Sequence, residues 1–234
     1  MRLLVVVGLA LAVFAAPARA AEIESLQKLG QESYFAFVEK GETARAEPST
    51  GAKAVGKLTR RSSVGTDDIV LVIARTTDDH DRTWLQVRLP IRPNGTTGWV
   101  PETALSELQP VSTWLRIDTK AYKVTLVKNG KTVFSARAGV GQKQWPTPKG
   151  QFFIRAKLEK YGGAGSAYGP VAFITSATSP TLTDWPGGGI VGVHGTNQPS
   201  LIPGRISHGC VRLKNADILK LARLMPVGTP LTIT

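Results

Sequence analysis

One cysteine, Cys210, stands in a chain of 234 residues that has only three histidines, His80, His194 and His208. Two of those histidines share a short window with the cysteine: His194-Gly195, then eleven residues, then Ser207-His208-Gly209-Cys210-Val211-Arg212-Leu213. A thiol attacks as its thiolate, and a neighbouring imidazole favours that form. Attack on a carbonyl also needs N–H donors for the oxyanion, and Gly209 permits a sharp turn that presents them. Two other readings use the same residues. A lone cysteine is often an inert, buried small side chain, and His194, His208 and Cys210 are all permissible zinc ligands. A buried structural thiol needs neither an imidazole nor a glycine beside it, which favours the reactive reading. A structural zinc site lacks an evident fourth ligand, while a catalytic one would suffice with these three; metal is the minor reading, and the expectation is no metal and no cofactor. His80 sits apart, in the polar run Asp78-Asp79-His80-Asp81, as a solvated histidine among carboxylates.

The elements that must position these side chains read as mainly β. The 24 Gly and 15 Pro are spread without period, as punctuation between many short strands. Residues 21–47 carry the spacing Ile23, Leu26, Leu29 and read as a lead-in, a short helix or irregular segment. Runs at 55–60, 68–74, 82–89 and 98–101 read as strands, with Asn94-Gly95 as a tight turn. In the second half, 113–118, 122–128 and 131–137 are strand-like. The Asn129-Gly130 pair between the last two predicts a type I′ hairpin in which Leu126 faces Val133 and Val124 faces Ser135. Further strands are expected at 151–157, 171–175, 190–194 and 229–234. One amphipathic helix fits 215–225, with Asn215 as its N-cap and Pro226 as its stop. The glycine runs at 161–169 and 187–189 lack the Gly-Lys-Ser/Thr pattern of a phosphate loop. They read as loops bordering the site, where Tyr168 and Trp185 are candidate substrate contacts.

Charge and the amino terminus narrow the setting. Lys and Arg number 29 against 17 Asp and Glu, a formal net charge of +12, and such a surplus suits an anionic partner. Residues 1–20 pair a cationic start at Arg2 with an apolar run from Leu3 to Phe14 and small residues Ala18 and Ala20 before a cut. That is the pattern of a secretory signal peptide, too short to span a bilayer. Its removal takes away Arg2 and Arg19 and leaves +10 (12 minus 2). Export to the periplasm or cell envelope makes wall polyanions the relevant partners, with no nucleic acid and no transmembrane segment expected after signal removal. An unpaired cysteine in an oxidising compartment cannot be a structural bridge.

The segment His194-Gly195…Ser207-His208-Gly209-Cys210-Val211-Arg212-Leu213 resembles the signature of the L,D-transpeptidase (YkuD-type) family, bacterial enzymes that cross-link or modify peptidoglycan. The likeness extends over 112–234 and includes Thr147-Pro148-Lys149-Gly150-Gln151-Phe152. The run TWLQV to GWV resembles bacterial SH3-like domains, placing a small barrel at 48–108. The fold implied is a small SH3-like barrel followed by a β-rich L,D-transpeptidase catalytic domain with one C-terminal helix. The resemblance implies Cys210 as nucleophile and His194 as proton donor and acceptor. Ser207, His208 and Gly209 shape the nucleophile turn, and Gly195 orients His194 through its carbonyl. Arg212 either binds a stem-peptide carboxylate or anchors the turn by an ion pair. The implied substrates are peptidoglycan stem peptides, with release of D-Ala from a tetrapeptide. Water as acceptor would make the enzyme an L,D-carboxypeptidase, and a non-enzymatic wall-binding protein is the alternative from another class. Papain-like peptidases place Cys before His in the chain, opposite to the order here.

Overall fold

The computed structural model describes residues 22–159, 165–182 and 188–234. The signal-peptide reading at 1–20 and the candidate contact Trp185 lie outside them. Among the described residues no helix is long and apolar enough to cross a membrane.

Two sheets account for most of the regular structure among the described residues. The first comprises β1 (Glu24–Ser25), β2 (Ser33–Phe37), β3 (Glu42–Arg45), β4 (Ala54–Leu58), β5 (Ile69–Thr77), β6 (Thr83–Arg88), β7 (Thr97–Pro101) and β8 (Gln109–Val111). Its order is β4-β3-β7-β6-β5-β2-β8, with β1 also paired to β5. The runs read at 55–60, 68–74, 82–89 and 98–101 are β4 to β7. Residues 22–47, read as a helical or irregular lead-in, instead supply three strands. The apolar residue that suggested a helix start, Ile23, is 60% exposed, whereas Phe35, Ala36 and Val38 are in the core. Pro110 lies in β8 opposite Tyr34, at the sheet edge where a missing N–H costs no ladder bond.

The second sheet holds β9 (Thr113–Asp118), β10 (Lys123–Lys128), β11 (Lys131–Arg137), β12 (Gly139–Gly141), β13 (Gly150–Glu159), β14 (Val171–Thr178), β15 (Ile190–His194), β16 (Gly204–Ser207), β17 (Val211–Arg212) and β18 (Pro230–Ile233), with one helix, α1 (Asn215–Leu224). The order is β11-β10-β9-β18-β13-β14-β15-β17-β12-β16. Among the described residues this is the mainly β class with a single α-helix near the C-terminus that the sequence led us to expect. The core beneath α1 joins Ile218 and Leu221 to Leu115, Leu126, Phe152, Phe173, Val193 and Val211, all essentially inaccessible.

The hairpin register departs from expectation. Asn129 and Gly130 both take positive φ, 50° and 74°, as a type I′ turn requires. A bulge at Val133, opposite the step between Leu126 and Val127, then moves the pairing by one, so Leu126 opposes Phe134 and Val124 opposes Ala136. An unbulged ladder would turn Phe134 outward, because one residue of slip exchanges the two faces. The bulge instead buries Phe134 and leaves Val133 39% exposed. The helix start also differs: Lys214 is the N-cap without a side-chain bond, and Asn215 serves the loop of the candidate site.

The sheets meet along a seam of Phe35, Ile69, Leu71, Val111 and Phe153. Beside it Arg155 of β13 reaches Asp68, with Nη2 at 2.8 Å and Nε at 3.2 Å from Oδ1.

Candidate active site

The crossover from β15 to β17 brings the two chemistry-bearing segments together. These strands run parallel, with Val193 opposite Val211 and His194 opposite Arg212. A parallel pair needs a connection of about a dozen residues or more, which the chain from Gly195 to Cys210 supplies. One step earlier in that register Cys210 lies beside Gly192, whose N–H donates to Cys210 Sγ at 3.3 Å. Side chains alternate across a sheet, so His194, Cys210 and Arg212 project to one face, and all three line a cleft of about 220 Å³. A Cβ at Gly192 would lie 3.7 Å from His194 Cδ2 and 3.9 Å from Cys210 Sγ. Imidazole and thiol therefore converge on the space this glycine leaves open.

His194 is 3% exposed, and its Nδ1 lies 2.6 Å from Gly195 O. A carbonyl oxygen only accepts, so Nδ1 carries the proton and Nε2, next to Cδ2 in the ring, is the basic nitrogen. Burial pushes the His194 pKa down from 6.5 to about 4; the Arg212 cation adds to this and the Gly195 carbonyl opposes it. Burial likewise pushes the Cys210 thiol up, against the pull of the Gly192 N–H and Arg212. The resting pair is thus a neutral thiol beside a neutral imidazole, not the thiolate that proximity alone suggested. Desolvation penalises both charged forms.

The same burial links stability to pH. The unfolded chain protonates His194 near 6.5 and the folded chain only near 4. Between those values the unfolded state binds the extra proton, so stability falls as pH falls through this window. A fall from 6.5 to about 4 makes this contribution on the order of 3 kcal/mol. A His194→Asn protein is expected to lose that part of the difference between urea midpoints at pH 7 and pH 4. An unchanged difference would show that the imidazole is not held neutral.

The turn carrying the cysteine is braced from both sides. Gly209 adopts φ +117°, and its N–H donates to Ser207 Oγ at 3.1 Å. That amide is engaged within the turn, so it is not among the donors the turn offers to an oxyanion. The Ser207 hydroxyl donates to Cys210 O. Thr147 Oγ1 donates to Gly209 O at 2.8 Å and accepts from Gly141 N at 2.8 Å, tying the Thr-Pro stretch to the nucleophile turn. The His208 ring tilts against Trp145 with centroids 4.1 Å apart and borders the cleft. Gly195 sits where a Cβ would lie 2.4 Å from Asn215 Oδ1 and 3.0 Å from Gly169 Cα. Asn215 Oδ1 in turn accepts from Thr196 N at 2.9 Å, which fixes the loop whose carbonyl orients His194.

Among the described residues the buried Nε of Arg212 has no hydrogen-bond partner, and Arg212 takes part in none of the ion pairs there. Tyr168, 43% exposed, holds its ring 5.0 Å from that of His194. Among the described residues no three His, Cys, Asp or Glu side chains gather as a metal-holding group. The sequence reading did not single out Gly192, Trp145, or the cleft walls Leu182 and Ile190. The Thr147 stretch was the one available pointer to the brace.

The model of the YkuD L,D-transpeptidase catalytic domain matches residues 112–233. The chain belongs to that family. The YkuD protein of Bacillus licheniformis is 32% identical over 126 residues, 50% of this chain and 68% of the relative. Its Bacillus subtilis counterpart is 29% identical over 119 residues, covering 51% and 64%. The L,D-transpeptidase chain thus spans about two-thirds of the length of these curated relatives. A crystal structure of an Enterococcus faecium L,D-transpeptidase aligns with 25% identity and a TM-score of 0.41, over 52% of this chain and 49% of that one.

Proposed function

We propose that this L,D-transpeptidase cross-links peptidoglycan through an acyl-enzyme on Cys210, with His194 moving the protons. Support comes from the convergence of a partly exposed thiol and a tautomerically fixed imidazole at Gly192, in one cleft. Because the resting pair is neutral, His194 Nε2 acts as general base during attack. The sulfur bonds to the carbonyl carbon of the L-centre that precedes D-Ala while its proton passes to Nε2. The C–N bond then breaks, D-Ala leaves with that proton, and a thioester remains. An acceptor amine gives a proton to Nε2 as it attacks; the C–S bond breaks and the thiol regains the proton. Arg212, a cation facing the cleft with no carboxylate partner among the described residues, suits the carboxylate of the donor stem. Ser207, His208 and Gly209 hold the nucleophile turn, and Tyr168 flanks the imidazole at the rim. The exported form acts in the envelope, and the first sheet is read as the SH3-like unit.

Incubating the exported form with purified tetrapeptide muropeptides, followed by mass analysis, tests this. Free D-Ala with dimers joined between third residues is expected. Tripeptides alone would make water the acceptor and the enzyme a carboxypeptidase, and unchanged substrate would overturn the enzymatic reading in favour of wall binding.

A further inference from the structure

The loop between β6 and β7 is longer than a hairpin needs, and two of its side chains leave their own sheet. Its tip is a tight turn, closed by Thr96 N–H to Pro93 O at 3.3 Å, with Gly95 at φ +88°. From that turn Asn94 reaches β14. Its Nδ2 donates to Thr178 O at 2.7 Å, while Oδ1 accepts from Thr178 N and Oγ1, each at 3.0 Å. The amide side chain thus satisfies both backbone groups of Thr178, as a neighbouring strand would. A partner from outside is useful there, because the β14–β15 ladder slips between Ile174 and Thr178.

Arg92 continues the attachment. Its Nη2 donates to Ser179 O at 3.2 Å and to Gly188 O at 2.9 Å, spanning the two ends of the segment that follows β14. Ser179 N–H donates to Gly189 O at 2.7 Å and closes the same neck. Space at the neck is tight: a Cβ at Gly189 would lie 2.1 Å from Leu182 O and 3.0 Å from Arg92 Nη2. Leu182, Gly189 and Ile190 form a wall of the cleft that holds Cys210. None of the ion pairs among the described residues involves Arg92, so its bonds within this set go to backbone carbonyls.

We propose that Arg92 and Asn94 are positioning residues for the transpeptidase site: the first sheet clamps the neck at Ser179 and Gly189, and so sets the wall against which the donor stem peptide is held. The first sheet is then a working part of the cleft and not only a spacer or wall-binding unit. The inference rests on the function proposed above for its substrate. Each charged donor lost to a carbonyl weakens the wall's placement, and a misplaced wall costs substrate affinity before it costs chemistry.

The test uses the exported form with Arg92→Ala, Arg92→Lys and Asn94→Ala. Four readouts apply: KM and kcat for D-Ala release from a tetrapeptide, the rate of Cys210 alkylation by iodoacetamide, and amide hydrogen exchange. For Arg92→Ala and Asn94→Ala, KM is expected to rise about tenfold with kcat within about threefold. Alkylation by the small reagent is expected to stay within about twofold, since it needs the sulfur and not the wall. Exchange at the Ser179 amide is expected to quicken about tenfold while that of Leu115 in β9 stays fixed. Arg92→Lys, a point donor without the fork, is expected to fall between wild type and Ala. Unchanged KM and unchanged Ser179 exchange overturn the inference, as does a uniform rise in exchange across both sheets. A wild-type protein that releases no D-Ala sinks the functional reading instead, and the exchange arm still decides whether the clamp exists.

Discussion

A Cys210→Ala protein is expected to lose D-Ala release from tetrapeptide stems by at least about 10³-fold, because the Ser207 hydroxyl, which also lines the cleft, is engaged by Cys210 O and Gly209 N–H and does not replace the thiol as nucleophile. His194→Gln is expected to cost about 10²- to 10⁴-fold, the contribution of a positioned general base. The double variant should be no worse than Cys210→Ala alone, since groups acting on one step do not add. The pH profile carries the signature of the environment. An ordinary imidazole would place the acid limb of kcat/KM near 6.5; burial of His194 puts it at about 4. Activity from pH 7 down to about pH 5 should therefore hold nearly level. Residual D-Ala release at the wild-type rate in Cys210→Ala would sink the mechanism outright. A limb that stayed near 6.5 would show instead that the imidazole is solvated during turnover.

The parts of this molecule legible in the sequence are those set by local pattern. The Asn129-Gly130 turn, the alternation of Leu85 and Val87 in β6, and the apolar spacing of Ile218 and Leu221 in α1 each follow from a period that only nearby residues determine. His194 and Cys210 could be paired because scarce residue types cluster, and the parallel β15–β17 register supplies the reason for their spacing. What stayed hidden depends on contacts between distant segments. The bulge at Val133 is dictated by the need to bury Phe134 in the core of the second sheet, a demand with no local signal. Trp84 lies on what alternation makes the outer face of β6, yet it is 1% exposed, because Ala74 and Trp99 cover it. Asn215 has the residue type and place of an N-cap, but its oxygen is taken by the Thr196 amide. The depressed basicity of His194 and raised thiol of Cys210 follow from burial, and burial is a property of the packed chain.

The seam between the sheets gives the second large effect. Asp68 and Arg155 side chains are each 8% exposed and 2.8 Å apart, and Asp68 Oδ1 also accepts from Ile69 N at 3.0 Å. Asp68→Ala leaves a guanidinium in a nearly dry seam with its carboxylate gone. Removing one member of such a pair costs about 3 to 5 kcal/mol, more than the pair itself contributes, because the remaining charge has lost its compensation. Asp68→Leu with Arg155→Met removes both charges, and its cost should be small or even favourable. The ordering is the content of the prediction: by urea midpoint, Asp68→Ala falls well below wild type and the double apolar variant lies close to it. Arg155 sits beside Thr175 and Ser176 at the cavity that also borders Arg92 and Gly188. A seam loosened at Asp68 should therefore quicken exchange at the Ser179 amide as well, coupling the strength of the interface to the shape of the cleft. If Asp68→Ala lost less than about 1 kcal/mol, water would have to reach the guanidinium, and the seam would not be the rigid support that places the Arg92 loop.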